Sequence, residues 1–568
     1  MPRSSSAGRQ RTPTSPPLTA DARPLLAPDV TFERTADQAV WIAMRHGVPT
    51  SRVSRAVVDL LTAMDGETEL RDLHPRFAPS DSWESFLHLL ERFRASGLLD
   101  GDTRRPPGRL TFRPPFTLQV ATLRAPAIFG RLDRMLVPLS HRVVLVSMAI
   151  LLCLGLLAAA VQARELLDVL TMPVPLTGLI VLVAALAFLT VLHESAHGLT
   201  LTRFGGRPRR AGFMLFYLTP AFFVDVTDGW RLHAPRQRAA VALAGPAVHA
   251  VVAALALLIA LVVPHPAVRQ TLLLLAVSCV AIVLINLIPF VRFDGYIALM
   301  SALDEPNLRV RTIRDGGSFL TRFLFGERRT SRALDTWWSV PFGLASLIAP
   351  VVLVSFAVIR ANRALAGGGP LLGLLVVALE SVVVLVGVVL VARALLRVVR
   401  SGVSLLRVVS VCTVVAVGIA AAGAAIPVPL THTLGFVTRN DRVLLVHAGG
   451  DAGSEVPEGA EVVLMSGGIL ADERVGAGTA GPRRSESTTV PLDALFPVKA
   501  DGASVPAMIV AEVDVSEGGG SVPSSGRARI EIGERNLWQT LWEIGVTLPL
   551  SIPQSDEEEK DEDERSRH

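Results

Sequence analysis

Three ionisable residues, His193, Glu194 and His197, form the pattern His-Glu-x-x-His. On a helix, residues four apart lie one turn apart on the same face. The two imidazoles can therefore share one zinc ion, and the glutamate lies beside the metal, where it can act as a general base. The pattern predicts the centre of a zinc hydrolase.

The residues before this motif are as informative as the motif itself. The run from Leu176 to Leu192 contains no charged residue, and together with the motif it is long enough to cross a bilayer. Ionisable side chains in lipid are costly and usually serve a function. We therefore expect a zinc hydrolase whose chemistry takes place at membrane depth.

The composition supports a membrane protein with soluble ends. The chain has 568 residues, of which 50% are hydrophobic and 19% charged, whereas soluble proteins carry roughly 25% charged residues. Its net charge is only +4, and the arginines lie beside apolar runs instead of forming one basic patch, so nucleic-acid binding is not expected. Cys153, Cys279 and Cys412 lie in apolar runs without Cys-x-x-Cys spacing, which disfavours a disulfide or a cysteine metal site.

About seven apolar stretches are long enough to span the hydrocarbon layer. They cover residues 143–162, 174–197, 239–263, 271–291, 338–359, 371–392 and 408–429. Arginines are concentrated in alternate connections between these stretches. The positive-inside rule then predicts a multi-pass protein of the cell membrane, with a cytoplasmic N-terminus and an extracytoplasmic C-terminal domain. The zinc motif lies near the cytoplasmic end of the second span.

A catalytic zinc also needs a third protein ligand and an open position for water. Asp294 is the best candidate because it lies at the cytoplasmic end of the fourth span, which runs in the same direction as the second. The rival ligands are Asp225, His249 and Glu380. For Asp225 we favour a turn or supporting role, and for Glu380 a buried pairing or helix-packing role.

These motifs together resemble the site-2 protease family of intramembrane zinc metalloproteases. The resemblance covers residues 174–300 and rests on His193-Glu194-x-x-His197, Gly245-Pro246-Ala-Val-His249 and Asn286-x-x-Pro289 followed by Asp294-Gly295. It implies that His193, His197 and Asp294 bind Zn²⁺ and that Glu194 activates water.

Two further residues of the motifs, Asn286 and His249, are candidate substrate-binding residues. Asn286 could hydrogen-bond the substrate backbone or the developing oxyanion. At position 249 the family usually has Asn, so His249 is either a polar contact of the same kind or a packing residue.

One apolar segment between the second and third spans is too interrupted to cross the membrane. Residues 213–230 contain Pro220, Asp225, Asp228 and Gly229. We interpret this segment as a re-entrant extended element that could pair with an unwound substrate strand.

The N-terminal part divides into three segments. Residues 1–25 are predicted to be disordered, residues 26–105 to form a small domain, and residues 106–142 to be a linker. Apolar residues from Val53 to Met64, and again between Ser82 and Ala95, recur at helical spacing. The sequences LLTAMDGETELRDL and LLERFRASGLLDG resemble a PqqD-like winged-helix element of ribosomal peptide maturation, which implies leader-peptide binding at a sheet edge.

The chain is predicted to change character after the membrane domain, which we place at residues 143–429. Residues 430–550 contain short alternating runs separated by Gly, Pro and Ser, which predict a β-rich barrel or sandwich. Near its end, Leu537, Trp538, Leu541, Trp542 and Ile544 suggest a short segment that rests on the membrane surface. Residues 551–568 are predicted to be a charged, disordered tail.

We therefore expect an α-helical polytopic membrane protein with a site-2 protease core, a winged-helix-like N-terminal domain and a β-rich C-terminal domain. The expected function is zinc-dependent cleavage of a membrane-associated precursor peptide, with leader removal in ribosomal peptide biosynthesis, such as that of a daptide, as the main hypothesis. The alternatives are regulated intramembrane proteolysis of a signalling protein and a non-catalytic exporter or immunity subunit. The expected partners are the precursor peptide and membrane lipid.

Overall fold

The computed structural model describes most of the chain in segments. These are residues 18–34, 41–45, 48–99, 110–113, 117–136, 141–216, 219–232, 234–305, 307–326, 333–334, 336–365, 370–448, 456–517 and 522–547. The chain divides into two compact units, one comprising residues 1–141, 190–248 and 301–304, the other the remainder. Four of the five boundaries between them fall inside helices, and the fifth lies between residues 304 and 305.

The N-terminal region is a three-stranded antiparallel sheet followed by three helices. The elements are β1 (Val30–Arg34), β2 (Trp41–Arg45), β3 (Val48–Val53), α1 (Arg55–Thr62), α2 (Leu70–Phe77) and α3 (Trp83–Ala95), with strand order β1-β2-β3. The two helices predicted here are present as α1 and α3, and each begins after a serine whose hydroxyl accepts a backbone N–H bond, Ser54 for α1 and Ser82 for α3. Leu61, Phe86 and Leu90 are among the residues that form the core of this region.

Residues 18–25, expected to be disordered, are ordered against this domain. Backbone N–H groups of Gly66 and Leu70 donate to the carbonyls of Pro24 and Ala22, both at 3.0 Å. Residues 1–17 lie outside the described residues. The segment predicted to be a linker also contains structure, namely β4 (Leu110–Arg113), β5 (Thr117–Thr122) and α4 (Ala125–Leu136).

From His141 to Arg203 the chain is almost entirely helical. It forms α5 (His141–Val161), α6 (Ala163–Thr171), the short strand β6 (Val174–Pro175) and α7 (Leu176–Arg203). The second predicted span ends at His197, but α7 continues to Arg203. The zinc motif is therefore part of an unbroken helix, which fixes the relative direction of its side chains.

The segment after α7 forms a hairpin instead of a span, as predicted. Its strands are β7 (Ala211–Phe216) and β8 (Thr219–Val224), followed by a 3₁₀ turn at Thr227–Arg231. β5 pairs antiparallel with β7, so the predicted linker and the hairpin share one sheet of order β4-β5-β7-β8. Among the described strands, β8 lies at an edge of this sheet.

The remaining helices complete the apolar part of the chain. They are α8 (Pro235–Val262), α9 (Pro266–Asn286), α10 (Asp294–Ala302), α11 (Leu308–Phe325), α12 (Ser339–Leu365), α13 (Pro370–Arg400) and α14 (Leu405–Ala425). Among the described residues, seven helices are long and apolar enough to cross a membrane, namely α5, α7, α8, α9, α12, α13 and α14. They overlap the predicted stretches, which confirms seven apolar helices of membrane-spanning length.

The C-terminal region is a closed barrel. It contains β9 (Pro427–Arg439), β10 (Arg442–His447), β11 (Glu461–Met465), β12 (Arg474–Pro491), β13 (Val498–Lys499), β14 (Ser504–Glu517) and β15 (Ser525–Asn536). Six of these strands, all except β13, close in the order β10-β14-β12-β11-β15-β9, which confirms the β-rich prediction. Alternate residues such as Phe436, Leu445, Leu464 and Ile530 fill its interior.

Two contacts join the C-terminal region to elements that precede it in the chain. β13 pairs in parallel with β6, directly before α7. After β15, helix α15 (Leu537–Trp542) and a π-helical turn at Glu543–Thr547 carry the predicted aromatic segment. The Trp538 indole N–H donates to the carbonyl of Ala420 on α14 at 2.9 Å, so this tryptophan packs on a helix of the protein itself. The tail at residues 551–568 lies outside the described residues.

Candidate metal centre

The two histidines of the motif lie side by side on α7. Their ring centroids are 4.9 Å apart, and the side chains are almost fully buried. The Nδ1 atom of His197 lies 2.7 Å from the carbonyl oxygen of Val241 on α8. A carbonyl oxygen can only accept, so Nδ1 carries the proton and, in the neutral ring, Nε2 keeps its lone pair for a metal. The backbone of α8 thus sets His197 in the tautomer that a zinc ligand needs.

The Nε2 atoms of both histidines face a glycine on α8. A Cβ atom on Gly245 would lie 2.4 Å from Nε2 of His193 and 2.5 Å from Nε2 of His197. Carbon atoms do not approach nitrogen so closely without a bond, so this position excludes every side chain larger than hydrogen. The absence of a Cβ leaves space in front of the two metal-binding nitrogens. The residues present therefore fit a bound metal ion.

Glu194 is held by the edge strand of the hairpin. The backbone N–H of Val224, the last residue of β8, donates to Oε2 of Glu194 at 3.3 Å. The bond leaves further acceptor positions on the carboxylate, since an ionised glutamate can accept several hydrogen bonds. The residue predicted to be the general base is thus oriented by the strand predicted to meet the substrate.

Asp294 is the first residue of α10 and follows the turn that ends α9. Gly295 makes this turn possible, because a Cβ there would lie 2.5 Å from the carbonyl oxygen of Leu287. One ligand atom from each of His193, His197 and Asp294 lies within 4.8 Å of the others. Within the described part of the chain, this is the group identified as able to hold a metal ion. The predicted ligand set is therefore brought together.

The rival ligands take other positions. Asp225 accepts hydrogen bonds from the backbone N–H and hydroxyl of Thr227, and it lies 3.6 Å from Arg210, so it stabilises the turn after β8. Glu380 lies on α13 beside Gly545 of the C-terminal turn. Neither is part of the metal-binding group among the described residues.

The two predicted substrate-binding residues occupy different environments. His249 is buried on α8, one turn after Gly245 and on the same helix face. The Asn286 side-chain amide donates to the carbonyl of Ile282 in its own helix at 3.0 Å. To donate to a substrate, that amide group would have to leave or share this bond.

Sequence reasoning missed two backbone groups of the site, the Val241 carbonyl and the Val224 N–H. Any residue type supplies such groups, so the sequence carries no signal for them. Two imidazoles and one carboxylate are ligand types that catalytic zinc sites use, with a fourth position left for water. No family model, curated protein or solved structure matches this chain.

Proposed function

We propose that this protein is an intramembrane zinc metalloendopeptidase of the site-2 protease type. One observation carries the proposal: His193 and His197 present Nε2 atoms to the space that Gly245 leaves open, and a carboxylate oxygen of Asp294 lies within 4.8 Å of a ring nitrogen of each histidine. Histidine, glutamate and aspartate side chains are costly within apolar helices unless they serve a function. A three-ligand zinc centre with an adjacent glutamate is the function that this set supports best.

The chemistry divides between the metal and the side chains. Zinc bound by this set would supply the Lewis acidity that makes a water molecule acidic near neutral pH. Glu194 takes the proton from the water that attacks the scissile carbonyl and then passes it to the leaving amine. The Val224 N–H holds the Glu194 carboxylate toward β8, and the Val241 carbonyl keeps His197 from turning.

The geometry also favours an extended substrate. Amide bonds within a helix are protected, so a membrane-embedded peptide must unwind before it is cleaved. Because β8 is an edge strand among the described residues and its last residue binds Glu194, a peptide added to this edge would run toward the general base. We propose that the substrate binds as an additional strand on β8.

We further propose that the substrate is a ribosomally made precursor peptide whose leader is recognised by the N-terminal domain. The support is the helix pattern that the sequence predicts and the sheet β1-β2-β3 that precedes it. We also propose the orientation that the arginine distribution predicts, with the N-terminal domain cytoplasmic and the barrel on the opposite side.

Activity of the Glu194→Gln variant tests the proposal. The purified full-length protein in liposomes should contain one zinc per chain and cleave quenched-fluorescence peptides that insert into the bilayer. Glu194→Gln should keep its zinc and lose activity by several orders of magnitude. Glu165→Gln, which alters an ion pair with Arg269 on helices α6 and α9, is the matched control and should retain activity.

Two results would refute the enzyme assignment. The first is purified wild-type protein without stoichiometric divalent metal. The second is a Glu194→Gln variant that processes peptide as well as the wild type, which is the result expected of an exporter or immunity subunit. The precursor role has its own test: the full chain should bind the leader of a precursor encoded beside its gene more tightly than a scrambled peptide.

A further inference from the structure

The third metal ligand lies on a short helix that other elements hold at both ends. Asp294 begins α10, and Asp304 lies just beyond the end of the same helix. At about 1.5 Å per residue, Asp294 lies roughly 12 Å along the helix axis from the last helical residue, Ala302. A tilt of about 2° around that end would move Asp294 by roughly 0.4 Å, which exceeds the ~0.2 Å tolerance of metal–ligand distances.

The far end of α10 is fixed by a buried arginine on α8. Arg238 is only 5% exposed. One of its guanidinium nitrogens bonds the Asp304 carboxylate, and another donates to the carbonyl of Leu232 at 2.8 Å. An arginine fork can bind two acceptors in a fixed geometry, which a lysine ammonium does not match.

Arg238 also shares a helix face with the residues that contact the histidines. Positions 238, 241 and 245 are separated by three and four residues, so they lie along one face of α8. Val241 binds His197 through its carbonyl, and Gly245 faces both imidazoles. The Arg238–Asp304 pair therefore links the helix that orients the histidines to the helix that carries the aspartate.

The near end of α10 is held by a second arginine, Arg309 on α11. Its guanidinium donates to the carbonyl of Phe290, in the turn before Asp294, at 3.2 Å, and to the carbonyl of Ser346 on α12 at 3.1 Å. Its backbone N–H donates to the hydroxyl of Tyr296, two residues after Asp294, at 3.2 Å. The turn and the first part of α10 are thus tied to α12.

We propose that Arg238, through Asp304, and Arg309 are positioning residues that hold Asp294 at ligand distance from the two histidines. The proposal rests on the proposed function, because it assigns these residues to the same zinc centre. They do not touch the metal or the substrate. Their role is to fix the orientation of α10, so their loss should weaken zinc binding more than it weakens the fold.

Asp304→Asn is the sharpest variant for this test. Asp304 has a φ of 51°, in the left-handed region. Asparagine tolerates that backbone conformation as aspartate does, so the substitution removes the charge without adding strain. Arg309→Gln removes the guanidinium hydrogen bonds of the second arginine. Glu165→Gln again serves as control, because it alters an arginine–carboxylate pair, with Arg269, that the proposal does not assign to α10.

The zinc dissociation constant of each full-length variant is measured by chelator competition in detergent, and the absorption bands of the cobalt-substituted protein report the coordination geometry. We expect Asp304→Asn and Arg309→Gln each to weaken zinc binding about tenfold and to shift the cobalt bands. Glu165→Gln should change neither. Melting temperatures of the metal-free proteins show whether a variant that loses zinc affinity has also lost stability of its fold.

The outcomes separate the two proposals. If the wild type binds no zinc, the proposed function fails and this inference fails with it. If the wild type binds zinc and Asp294→Asn weakens it, but Asp304→Asn and Arg309→Gln bind as the wild type does, only the positioning role is wrong. A lower melting temperature with unchanged affinity and unchanged cobalt bands would likewise overturn the positioning role.

Discussion

Replacing Gly245 with alanine tests the metal centre through a single methyl group. In a helix interior alanine is favoured over glycine by about 1 kcal/mol, so helix propensity alone predicts a more stable protein. The structure also predicts a specific loss of zinc affinity, because the new Cβ would lie 2.4 Å from Nε2 of His193 and 2.5 Å from Nε2 of His197.

The magnitude follows from these distances. Ordinary contact between such atoms begins near 3.4 Å, so the rings would have to retreat by about 1 Å. Zinc–nitrogen bonds are about 2.0–2.1 Å long and tolerate deviations of only ~0.2 Å. His197 cannot turn away without losing its bond to the Val241 carbonyl. We expect zinc affinity to fall at least 100-fold, about 2.7 kcal/mol.

The assay is the thermal stability of the full chain with and without zinc. An excess of zinc at about 100 times the dissociation constant should stabilise the wild type by roughly 2.7 kcal/mol, and Gly245→Ala should gain almost none of this. Gly387→Ala is the control, because no described atom lies within 4 Å of its added Cβ. If Gly245→Ala bound zinc as tightly as the wild type, the metal would not lie between these two nitrogens.

Three further predictions concern the parts around the site. Trp538→Phe removes the indole N–H that donates to the Ala420 carbonyl. The loss of this hydrogen bond should lower the local stability by about 1 kcal/mol and raise the rate of proteolysis of the C-terminal segment about fivefold. An unchanged rate would contradict the contact. Gly343→Ala would place a Cβ 1.9 Å from the Thr312 carbonyl oxygen and should destabilise the protein by roughly 3 kcal/mol, seen as a lower melting temperature, whereas Gly317→Ala, with no described atom within 4 Å, should not. In the N-terminal domain, backbone N–H bonds from Thr68 and Glu67 lower the pKa of Asp65, and hydrogen bonds from Arg23 and Arg71 lower the pKa of Glu69. The stability that these two carboxylates contribute is present above their unfolded pKa values, near 4, and is lost as the pH falls through the lower folded values. Pepsin cleavage within residues 54–99 should therefore rise with acidification, and the rise should be smaller in the Asp65→Asn, Glu69→Gln double variant.

The sequence predicts the features of this fold that depend on local composition. A long apolar run must form a helix in lipid, because its backbone groups have no other partner there, so all seven stretches correspond to helices. The predicted end of the second stretch is wrong for a related reason. Polar residues from His193 onward end the apolar pattern, but backbone hydrogen bonding continues α7 to Arg203.

The sequence did not predict which distant strands pair with each other. Residues 106–142 contain Pro, Arg and Gly and are predicted to be a linker, yet Thr117–Thr122 pairs with Ala211–Phe216, about ninety residues away. Such pairing is fixed by backbone groups that every residue carries, so it leaves no local signal. The helices α10 and α11 were missed because they are too short or too basic to register as spans.

The candidate site shows the same division between side chains and backbone. His193, Glu194, His197 and Asp294 could be chosen from the sequence because their side chains are expensive to place in an apolar helix. The groups that orient them, the carbonyl of Val241 and the N–H of Val224, could not. The sequence placed Gly245 in one of the motifs, but it did not show that this position lacks a side chain because the two imidazoles face it.

The two backbone contacts also connect substrate binding to chemistry. The N–H of Val224 belongs to the edge strand that we propose pairs with the peptide, and it binds the carboxylate that we propose moves the proton. A peptide added to β8 would align the strand whose last residue holds Glu194. Because one short element would serve both roles, binding in the correct register and placement of the general base would depend on the same backbone.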